Sequence, residues 1–316
     1  MLPKQPIQNA TSNVSVSGDT VSGENPLFLH RTEKGLQLKQ GNMILRNDFS
    51  DMLPRITPGK LQAELLVKAA KIKNKKSRNS SAIQNENNTL STSSPKENPQ
   101  NSNHLSLIAI DATAGLGQDS FLLAAAGFTV HMYEQDPIIA ALLEDALDRA
   151  KQDPALAPIV SRMHLHKENS VRALEALANS LSKATSLDEA LLANKTDDAT
   201  DQGEPENSIE ADGLLEIDGI PKPREAAELH RKPEVIYLDP MFPERTKSAS
   251  VKKKFQLLHL LEHPCENEEE LLEAAIALHP KKVIVKRMAK GPFLAGKKPS
   301  YSIKGKSIRY DCYVFA

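Results

Sequence analysis

Five short apolar runs recur along the chain between segments of helical pattern, and this alternation constrains the fold more than any other feature. Each run has three to six residues, too few for a stable helix. The runs are Leu105–Ile110, Thr129–Tyr133, Met163–His166, Val235–Leu238 and Val283–Val285. Strands that alternate with helices form a parallel sheet, because each helix returns the chain to the same end. The sequence therefore predicts an α/β fold with a mostly parallel sheet.

The segments around these runs carry helix and turn signals. Pro residues stand at helix starts, Gly127 stands where a C′ glycine ends a helix, and Asn267 is a predicted N-cap. The predicted helices are Thr57–Ile72, Ser120–Ala126, Pro137–Lys151, Val171–Leu181, Lys252–Leu261 and Glu268–Leu278. Ser300–Ile303 and Ile308–Phe315 predict a hairpin that closes the sheet as an antiparallel edge, which brings the sheet to seven strands.

Composition divides the chain into regions. Residues 1–24 are expected to be a disordered tail, and residues 25–74 a small β-rich N-terminal subdomain with strands at Pro26–His30, Gly35–Lys39 and Met43–Arg46. Polar residues dominate 75–103, which predicts a disordered insertion. Residues 104–316 form the α/β domain, with an acidic, low-complexity insertion at 184–231.

Charge and cysteine content narrow the class of protein. Residues 184–220 contain 11 acidic residues and one lysine, a net charge of −10 within a total of −1, so the remainder carries +9. A net positive charge outside the acidic insertion is typical of an enzyme that binds a polyanion. Alternatively, the lysines and arginines are scattered over a solvated surface. No apolar run approaches the roughly 20 residues of a membrane span, and no signal peptide is evident. Cys265 and Cys312 form no CxxC pair, so we expect a cytoplasmic protein.

The fourth apolar run ends in Asp239, Pro240, Met241, Phe242 and Pro243. Ligands of open α/β sheets bind beyond the carboxyl ends of the strands. There, Asp239 and the Pro240 carbonyl can accept hydrogen bonds from an exocyclic amine, and Phe242 can stack on the ring that carries it. These three residues are the predicted catalytic set. Alternatively, they form only a strand followed by an Asx or proline turn.

A glycine-containing loop follows the first run and predicts a cofactor site. Gly115 and Gly117 would let the backbone approach a ligand, and Asp111 could meet an ammonium group. Glu134, which follows the second run, can accept hydrogen bonds from both hydroxyls of a ribose. Asn169 and Ser170, after the third run, could bind an adenine edge. These strand ends together indicate S-adenosylmethionine.

A nicotinamide dinucleotide is the rival cofactor, and a structural turn is a further alternative. The dinucleotide fingerprint requires a third glycine where this chain has Ser120. It also requires a helix N-terminus that is open to a pyrophosphate, and Asp119 at that position would repel the anion.

Several motifs closely resemble those of the RsmJ-type 16S rRNA guanine-N2 methyltransferases. The resemblance runs from about Leu53 to Phe315, apart from the two insertions, and rests on the segments 111–117, 237–243, 247–249, 251–253 and 283–287. It implies a class I, Rossmann-like methyltransferase fold with S-adenosylmethionine as methyl donor. It also implies methyl transfer to the exocyclic N2 of one guanine in small-subunit rRNA, position 1516 in the family's usual name.

The resemblance also assigns cofactor contacts by motif. These fall on Gln118, Asp119, Glu134, Gln135, Asn169, Ser170 and Asp239. The family tends to have arginine where Gln118 and Gln135 stand. Backbone contacts from these positions would be retained, whereas a salt bridge would not.

Basic residues cluster after the catalytic motif and predict an RNA-binding rim. The set comprises Arg245, Lys247, Lys252, Lys253 and Lys254, joined by Lys286 and Arg287 after the fifth run, with Lys306 and Arg309 as weaker candidates. They would bind phosphates of 16S rRNA or of the small ribosomal subunit. His164 and His166 alternate on a strand without completing a metal-ligand pattern, so no metal is expected. A non-catalytic ribosome-assembly factor and a methyltransferase acting on N6 of adenine are the alternative functions.

Overall fold

A small antiparallel sheet forms the N-terminal part of the protein. The computed structural model describes residues 14–15, 26–72, 106–194, 231–240, 257–258, 260–261 and 267–315. The small sheet comprises, in order, β1 (Val14–Ser15), β2 (Phe28–Thr32), β3 (Gly35–Gln40) and β4 (Met43–Leu45). The three strands predicted here are present. The predicted tail also contributes a strand, because Val14 and Ser15 pair with β2, while the rest of that tail and the 75–103 insertion lie outside the described residues.

A seven-stranded sheet forms the centre of the protein. Its strands are β5 (Leu107–Asp111), β6 (Phe128–Tyr133), β7 (Met163–His166), β8 (Val235–Leu238), β9 (Lys282–Met288), β10 (Tyr301–Lys304) and β11 (Ile308–Val314). Their order is β10-β11-β9-β8-β5-β6-β7. The expected α/β fold with a mostly parallel sheet is therefore confirmed. The hairpin forms the antiparallel edge that the sequence predicts: β11 lies between β9 and β10 and is antiparallel to both, so that β10 is the edge strand.

Helices cover both faces of this sheet. They are α1 (Lys60–Ala63), α2 (Leu65–Ala70), α3 (Gln118–Ala125), α4 (Pro137–Ala150), α5 (Ala157–Val160), α6 (Ser170–Asn194) and α7 (Glu268–Ala277), with 3₁₀ turns at Phe49–Arg55 and Leu294–Gly296. Gly127 adopts a φ of 100° just after α3, as a C′ glycine does. Asn267 caps α7 by accepting a hydrogen bond from the Glu270 amide at 3.1 Å, which confirms the predicted N-cap.

Two predicted helices have different bounds in the structure. The segment predicted as one helix from Thr57 to Ile72 is divided at Glu64, whose ψ of 131° is extended. The Glu64 carboxylate binds the Arg55 guanidinium with two hydrogen bonds of 2.8 and 2.9 Å, which fixes this break. In contrast, α6 continues to Asn194 and enters the predicted acidic insertion, because residues 187–193 are mostly strong helix formers.

Apolar side chains bury both faces of the central sheet. On one face Leu122 and Val130 belong to a core shared with α2, α3 and α5. On the other face Ile236 packs with Leu174 of α6 and Leu272 of α7. Burial on both faces explains why the strands read as continuous apolar runs rather than as alternating patterns.

The small sheet packs on α4 and is tied to it by Asp145. This carboxylate accepts hydrogen bonds from the Leu36 amide at 3.0 Å, from Arg31 at 3.0 Å and from Arg149 at 2.9 Å. Gly35 has a φ of 105°, which disfavours other residues, and a Cβ here would lie 2.3 Å from the Arg149 side chain and force it to move. The N-terminal sheet thereby supports the helix that begins beside the site described below.

The strand order reverses at β5. From β5 the chain proceeds to β6 and β7 on one side, then crosses to β8 and β9 on the other. Loops at the carboxyl ends of such strands diverge and leave a crevice, which is where open α/β sheets bind ligands. In the described part of the chain, no helix combines the length and the apolar character that crossing a membrane requires.

Candidate active site

A cavity of about 690 Å³ lies in the crevice at the reversal of strand order. This volume falls within the roughly 300–1,000 Å³ that small-molecule sites occupy. Its wall is built by the segments that follow β5, β6, β7 and β8, and by the first turn of α7. The structure brings together here seven of the predicted site residues: Gly115, Glu134, Gln135, Asn169, Ser170, Asp239 and Pro240.

Glu134 joins the loop after β5 to the start of α4. One of its oxygens accepts a hydrogen bond from the Gly115 amide at 2.9 Å, and the other accepts one from the Asp136 amide at 2.8 Å. Burial raises the pKa of Glu134, and these backbone hydrogen bonds oppose the rise. A carboxylate can accept about four hydrogen bonds, so it retains acceptor positions for the hydroxyls of a ligand.

Asn169 and Gln135 line the cavity on the β7 side. The Asn169 side chain donates to the Gln135 side-chain oxygen at 2.8 Å and accepts from the Arg172 amide at 3.1 Å. The second contact holds the first turn of α6, as an Asx residue at a helix start commonly does. Gln135 therefore contributes to this wall through a neutral hydrogen bond, and no charge is needed at that position to keep Asn169 in place.

Asp239 is the first residue after β8 and is held by both its backbone and its side chain. Its amide donates to the Thr113 hydroxyl at 2.6 Å, which connects it to the loop after β5. Its carboxylate lies 2.7 Å from the Lys286 ammonium and keeps 32% side-chain exposure. Burial raises the pKa of Asp239, while Lys286 acts in the opposite direction.

Lys286 departs from its predicted role on the RNA-binding rim. Its ammonium lies between two carboxylates, 2.7 Å from Asp239 and 2.8 Å from Asp119. Desolvation alone would lower the pKa of Lys286, but the two carboxylates outweigh it and raise that pKa. A cation committed to two anions has little attraction left for a phosphate.

Four residues of the predicted cofactor set, Asp111, Gly117, Gln118 and Asp119, are absent from the cavity wall formed by the described residues. Asp111 is 1% exposed and accepts hydrogen bonds from the Ser120 hydroxyl at 2.5 Å and the Thr113 amide at 3.1 Å. It therefore braces the loop instead of meeting an ammonium group. Gly117 packs against α4, where a Cβ would lie 2.7 Å from the Leu143 side chain.

Two arginines predicted to bind RNA are internal. Arg287 is 1% exposed and donates to Glu268 at 2.9 Å, which fastens β9 to the start of α7. Arg309 is buried and donates to Asp311 and to backbone carbonyls of the loop after β9. The sequence shows that Arg287 and Arg309 are charged, but it does not show that their side chains are buried inside the protein. Lys306 is exposed, as an RNA contact requires.

The remaining predicted residues, Phe242, Arg245, Lys247, Lys252, Lys253 and Lys254, lie outside the described residues. Their roles in stacking and RNA binding stay predictions.

The cavity wall is strongly acidic. Among the described residues that line it, five carry carboxylates and none is lysine, arginine or histidine. The carboxylates are Glu134, Asp136, Glu168, Asp239 and Glu270. Such a wall attracts a cationic ligand and opposes a pyrophosphate. It therefore favours the nucleoside cofactor over the dinucleotide that the sequence left open.

Sequence reasoning missed three of these carboxylates and one hydroxyl. Asp136 precedes Pro137 and caps α4, a pattern typical of a helix start and therefore open to recognition from sequence. Glu168 stands beside Asn169, so its position after β7 also gave a signal. Thr113 lies inside the loop predicted to bind the cofactor, so its position gave a signal that was not used. Glu270 gave none, because only the folded chain brings α7 to the cavity.

The two histidines of β7 pack with His131 of β6. The His131 ring stacks on His164 and His166 with centroids 5.2 and 5.3 Å apart, and its Nδ1 lies 3.1 Å from the Nε2 of His166. Burial lowers the pKa of His131 to about 3, which keeps it neutral in this stack. Within the described ranges no group of three or more His, Cys, Asp or Glu side chains is arranged to hold a metal ion.

Comparison with known proteins agrees with this geometry. The family model for SAM-dependent methyltransferases, where SAM is S-adenosylmethionine, matches residues 98–188 and 189–315. The chain is 41% identical over 204 residues to the ribosomal RNA small subunit methyltransferase J of Pseudomonas fluorescens, and 38% identical over 205 residues to that of Nitrosococcus oceani. These alignments cover 65% of this chain, which spans 59% and 61% of the length of the two relatives.

A solved structure extends the similarity to the fold. The crystal structure of a SAM-dependent methyltransferase from Neisseria gonorrhoeae aligns with a TM-score of 0.55 and 26% identity. The alignment covers 95% of this chain and 86% of the other. Together with the family model, which matches more than half of the chain, this shows that the protein belongs to the SAM-dependent methyltransferase family.

Proposed function

We propose that the protein transfers a methyl group from S-adenosylmethionine to the exocyclic N2 of a guanine in 16S small-subunit rRNA, at position 1516 in the family's usual name. The observation that carries this proposal is the acidic cavity with Asp239 and Pro240 in its wall. Such an enzyme acts where small subunits are assembled, in the cytoplasm. The names of the similar rRNA methyltransferases support the choice of substrate.

The residues of the cavity fit S-adenosylmethionine. This cofactor supplies an activated methyl group on a positively charged sulfur, and its amino-acid part adds an ammonium and a carboxylate. The five wall carboxylates match its net positive charge. Glu134 would accept hydrogen bonds from the ribose hydroxyls, while Asn169 and Ser170 would bind the adenine edge. Gln118 and Asp119 would act indirectly, from behind the wall.

Asp239 would orient the acceptor amine. The amine of guanine is a weak nucleophile because its lone pair is delocalised into the ring, so alignment and local electrostatics are the main tasks of the protein. The Asp239 carboxylate and the Pro240 carbonyl would accept the two N–H groups and turn the lone pair toward the methyl. Phe242 would stack on the guanine after it has left its helix.

The basic residues after the motif would bind the rRNA backbone. Arg245, Lys247 and Lys252–Lys254 remain the proposed phosphate contacts. The proposed set leaves out Lys286 and Arg287, because each already pairs with carboxylates of this chain. Replacing the three consecutive lysines by glutamine should weaken RNA binding and flatten its salt dependence, whereas an unchanged slope would show a solvated surface.

Mass mapping of small-subunit rRNA tests the proposal. In cells that lack the protein, one guanine of 16S rRNA should lose a single methyl group. Purified protein with S-adenosylmethionine should restore that methyl on N2 in RNA or subunits from those cells. A methylated N6 of adenine would identify the alternative acceptor. Unchanged rRNA, combined with RNA binding but no methyl transfer, would identify a non-catalytic assembly factor.

A further inference from the structure

We propose that Lys286 is a positioning residue that holds the Asp239 carboxylate ionised and correctly turned for the acceptor amine. This inference rests on the proposed function, in which Asp239 binds the amine. It also assigns Asp119 a role, as the anchor of Lys286 and not as a cofactor contact.

Parallel pairing of two strands brings Lys286 and Asp239 together. Leu238, the last residue of β8, pairs with Val285 of β9, so Asp239 and Lys286, the next residues along the chain, lie side by side. Lys286 then donates to Asp239 at 2.7 Å and to Asp119 at 2.8 Å. Its ammonium is thus fixed by a carboxylate from each neighbouring segment.

Asp119 is itself held from a second side. The Tyr237 hydroxyl donates to the same Asp119 oxygen at 2.6 Å. Tyr237 is buried, with 1% of its surface exposed. A chain of hydrogen bonds therefore leads from Tyr237 through Asp119 and Lys286 to the cavity wall. Because each member has a partner that restricts its rotation, Lys286 can set the direction of the Asp239 carboxylate.

Lys286 also supplies the nearest positive charge to Asp239. The other groups that act on this carboxylate include Asp119 and Asp111, which oppose its ionisation, and Arg287, which favours it. The buried phenols of Tyr237 and Tyr310 lie in the same electrostatic environment. Without Lys286, burial and the neighbouring carboxylates would favour the protonated form, which is a weaker acceptor for the amine N–H.

Carboxyl NMR of the full-length, ligand-free protein tests the ion pair without using activity. The Asp239 signal in ¹³C-labelled protein is assigned by its loss in Asp239→Asn. Lys286→Met should raise the pKa of Asp239 by about one unit or more, and Lys286→Arg should leave it near the wild-type value. Lys151→Met, at an exposed lysine that pairs with the exposed Asp148, is the matched control. An unchanged Asp239 pKa in Lys286→Met would overturn the proposal.

Methyl transfer as a function of pH tests the consequence. If the ionised form of Asp239 is active, the acid limb of the rate profile should move to higher pH in Lys286→Met, with a loss in kcat of about tenfold on that limb that exceeds any change in KM. A lower melting temperature with an unmoved acid limb would show a purely structural lysine and contradict the proposal. Failure of the wild-type protein to methylate at any pH would instead overturn the proposed function, and NMR would still decide the ion pair.

Discussion

The two ends of β9 each carry a lysine with little solvent exposure, but the two lysines bind different kinds of acceptor. At the amino end, Lys282 is 6% exposed and donates to the carbonyls of Ala69 and Lys71 at 2.6 and 3.0 Å. At the carboxyl end, Lys286 binds the carboxylates of Asp119 and Asp239. At one end of the strand a lysine thus binds backbone carbonyls of the N-terminal helices, and at the other end a lysine binds the carboxylates beside the crevice.

The two lysines therefore have different roles: Lys282 stabilises the fold, and Lys286 acts on a group of the proposed active site. Lys282 satisfies carbonyls at the end of α2, which have no partners within their helix, and so fastens the N-terminal helices to the sheet. Lys286 acts at the end of the sheet where the crevice opens, and its partners can titrate. We expect changes at the amino end to alter stability and changes at the carboxyl end to alter the rate.

The largest effect is expected from Asp239→Ala. Loss of one preorganised acceptor should lower the rate of methyl transfer by about 10²–10³-fold. The free energy of unfolding should change little, because Lys286 keeps Asp119 as a partner. Single-turnover methylation assays give the rate, and urea denaturation gives the stability. Asp148→Ala, at an exposed position of α4, is the control, and near-normal turnover in Asp239→Ala would remove Asp239 from the mechanism.

Arg287→Met should be the most destabilising change on β9. It leaves Glu268 without the guanidinium that it binds at 2.9 Å and removes a donor to the Pro292 carbonyl. Because Arg287 is buried while the Glu268 side chain keeps 28% exposure, the loss should be near the lower end of the roughly 3–5 kcal/mol of a buried pair, measurable by urea denaturation. The salt dependence of RNA binding should stay that of the wild type in the folded protein. A flatter slope would return Arg287 to the RNA-binding set.

A smaller loss is expected from Lys282→Met. Two hydrogen bonds from a charged donor disappear, which should lower the free energy of unfolding by about 2–3 kcal/mol. The rate per folded molecule should not change. Lys281→Met is the matched control, since that side chain is 56% exposed and its loss should cost under about 0.5 kcal/mol. A rate defect in Lys282→Met with unaltered stability would invalidate the comparison of the two ends.

The stability of the protein should depend on pH through Asp111, a buried carboxyl group whose hydrogen-bond donors, Ser120 and Thr113, are neutral. Burial raises its pKa from 3.8 to about 7. Between these values the folded protein binds more protons than the unfolded chain, so the contribution of Asp111 to stability falls as pH rises from about 4 to about 7. Asp111→Asn should flatten this part of the stability profile. An identical slope in wild type and variant would show that Asp111 keeps an ordinary pKa.

The sequence was most informative where local pattern and position coincide. The strand that ends at Asp111 and those that end just before Glu134 and Asp239 follow from apolar runs, and their common edge follows from the parallel connections. Glu134 and Asp239 accordingly line the cavity. What the pattern could not give is the direction of a side chain, which explains why Asp111 was predicted in the site although Ser120 and Thr113 hold it behind the loop.

Charge was the least reliable signal. Lys286, Arg287 and Arg309 were predicted to contact RNA because they are basic residues near the site. The partners of Lys286 come from elements distant in sequence, since it lies 167 residues from Asp119 and 47 from Asp239. Arg309 pairs with Asp311 on its own strand, but sequence alone does not show that both side chains are buried. The β8–β9 register, with Leu238 opposite Val285, would have predicted the Lys286–Asp239 pair. Register between parallel strands, however, is set by the packing of the whole sheet and not by the two strands alone.

Titration calorimetry with S-adenosylmethionine tests most directly the central claim that an acidic crevice selects a sulfonium nucleoside. The account predicts binding to one site of the wild-type protein, strong weakening in Glu134→Gln, and no measurable heat with a nicotinamide dinucleotide under the same conditions. Tighter binding of the dinucleotide, or no binding of S-adenosylmethionine by folded wild-type protein, would contradict it.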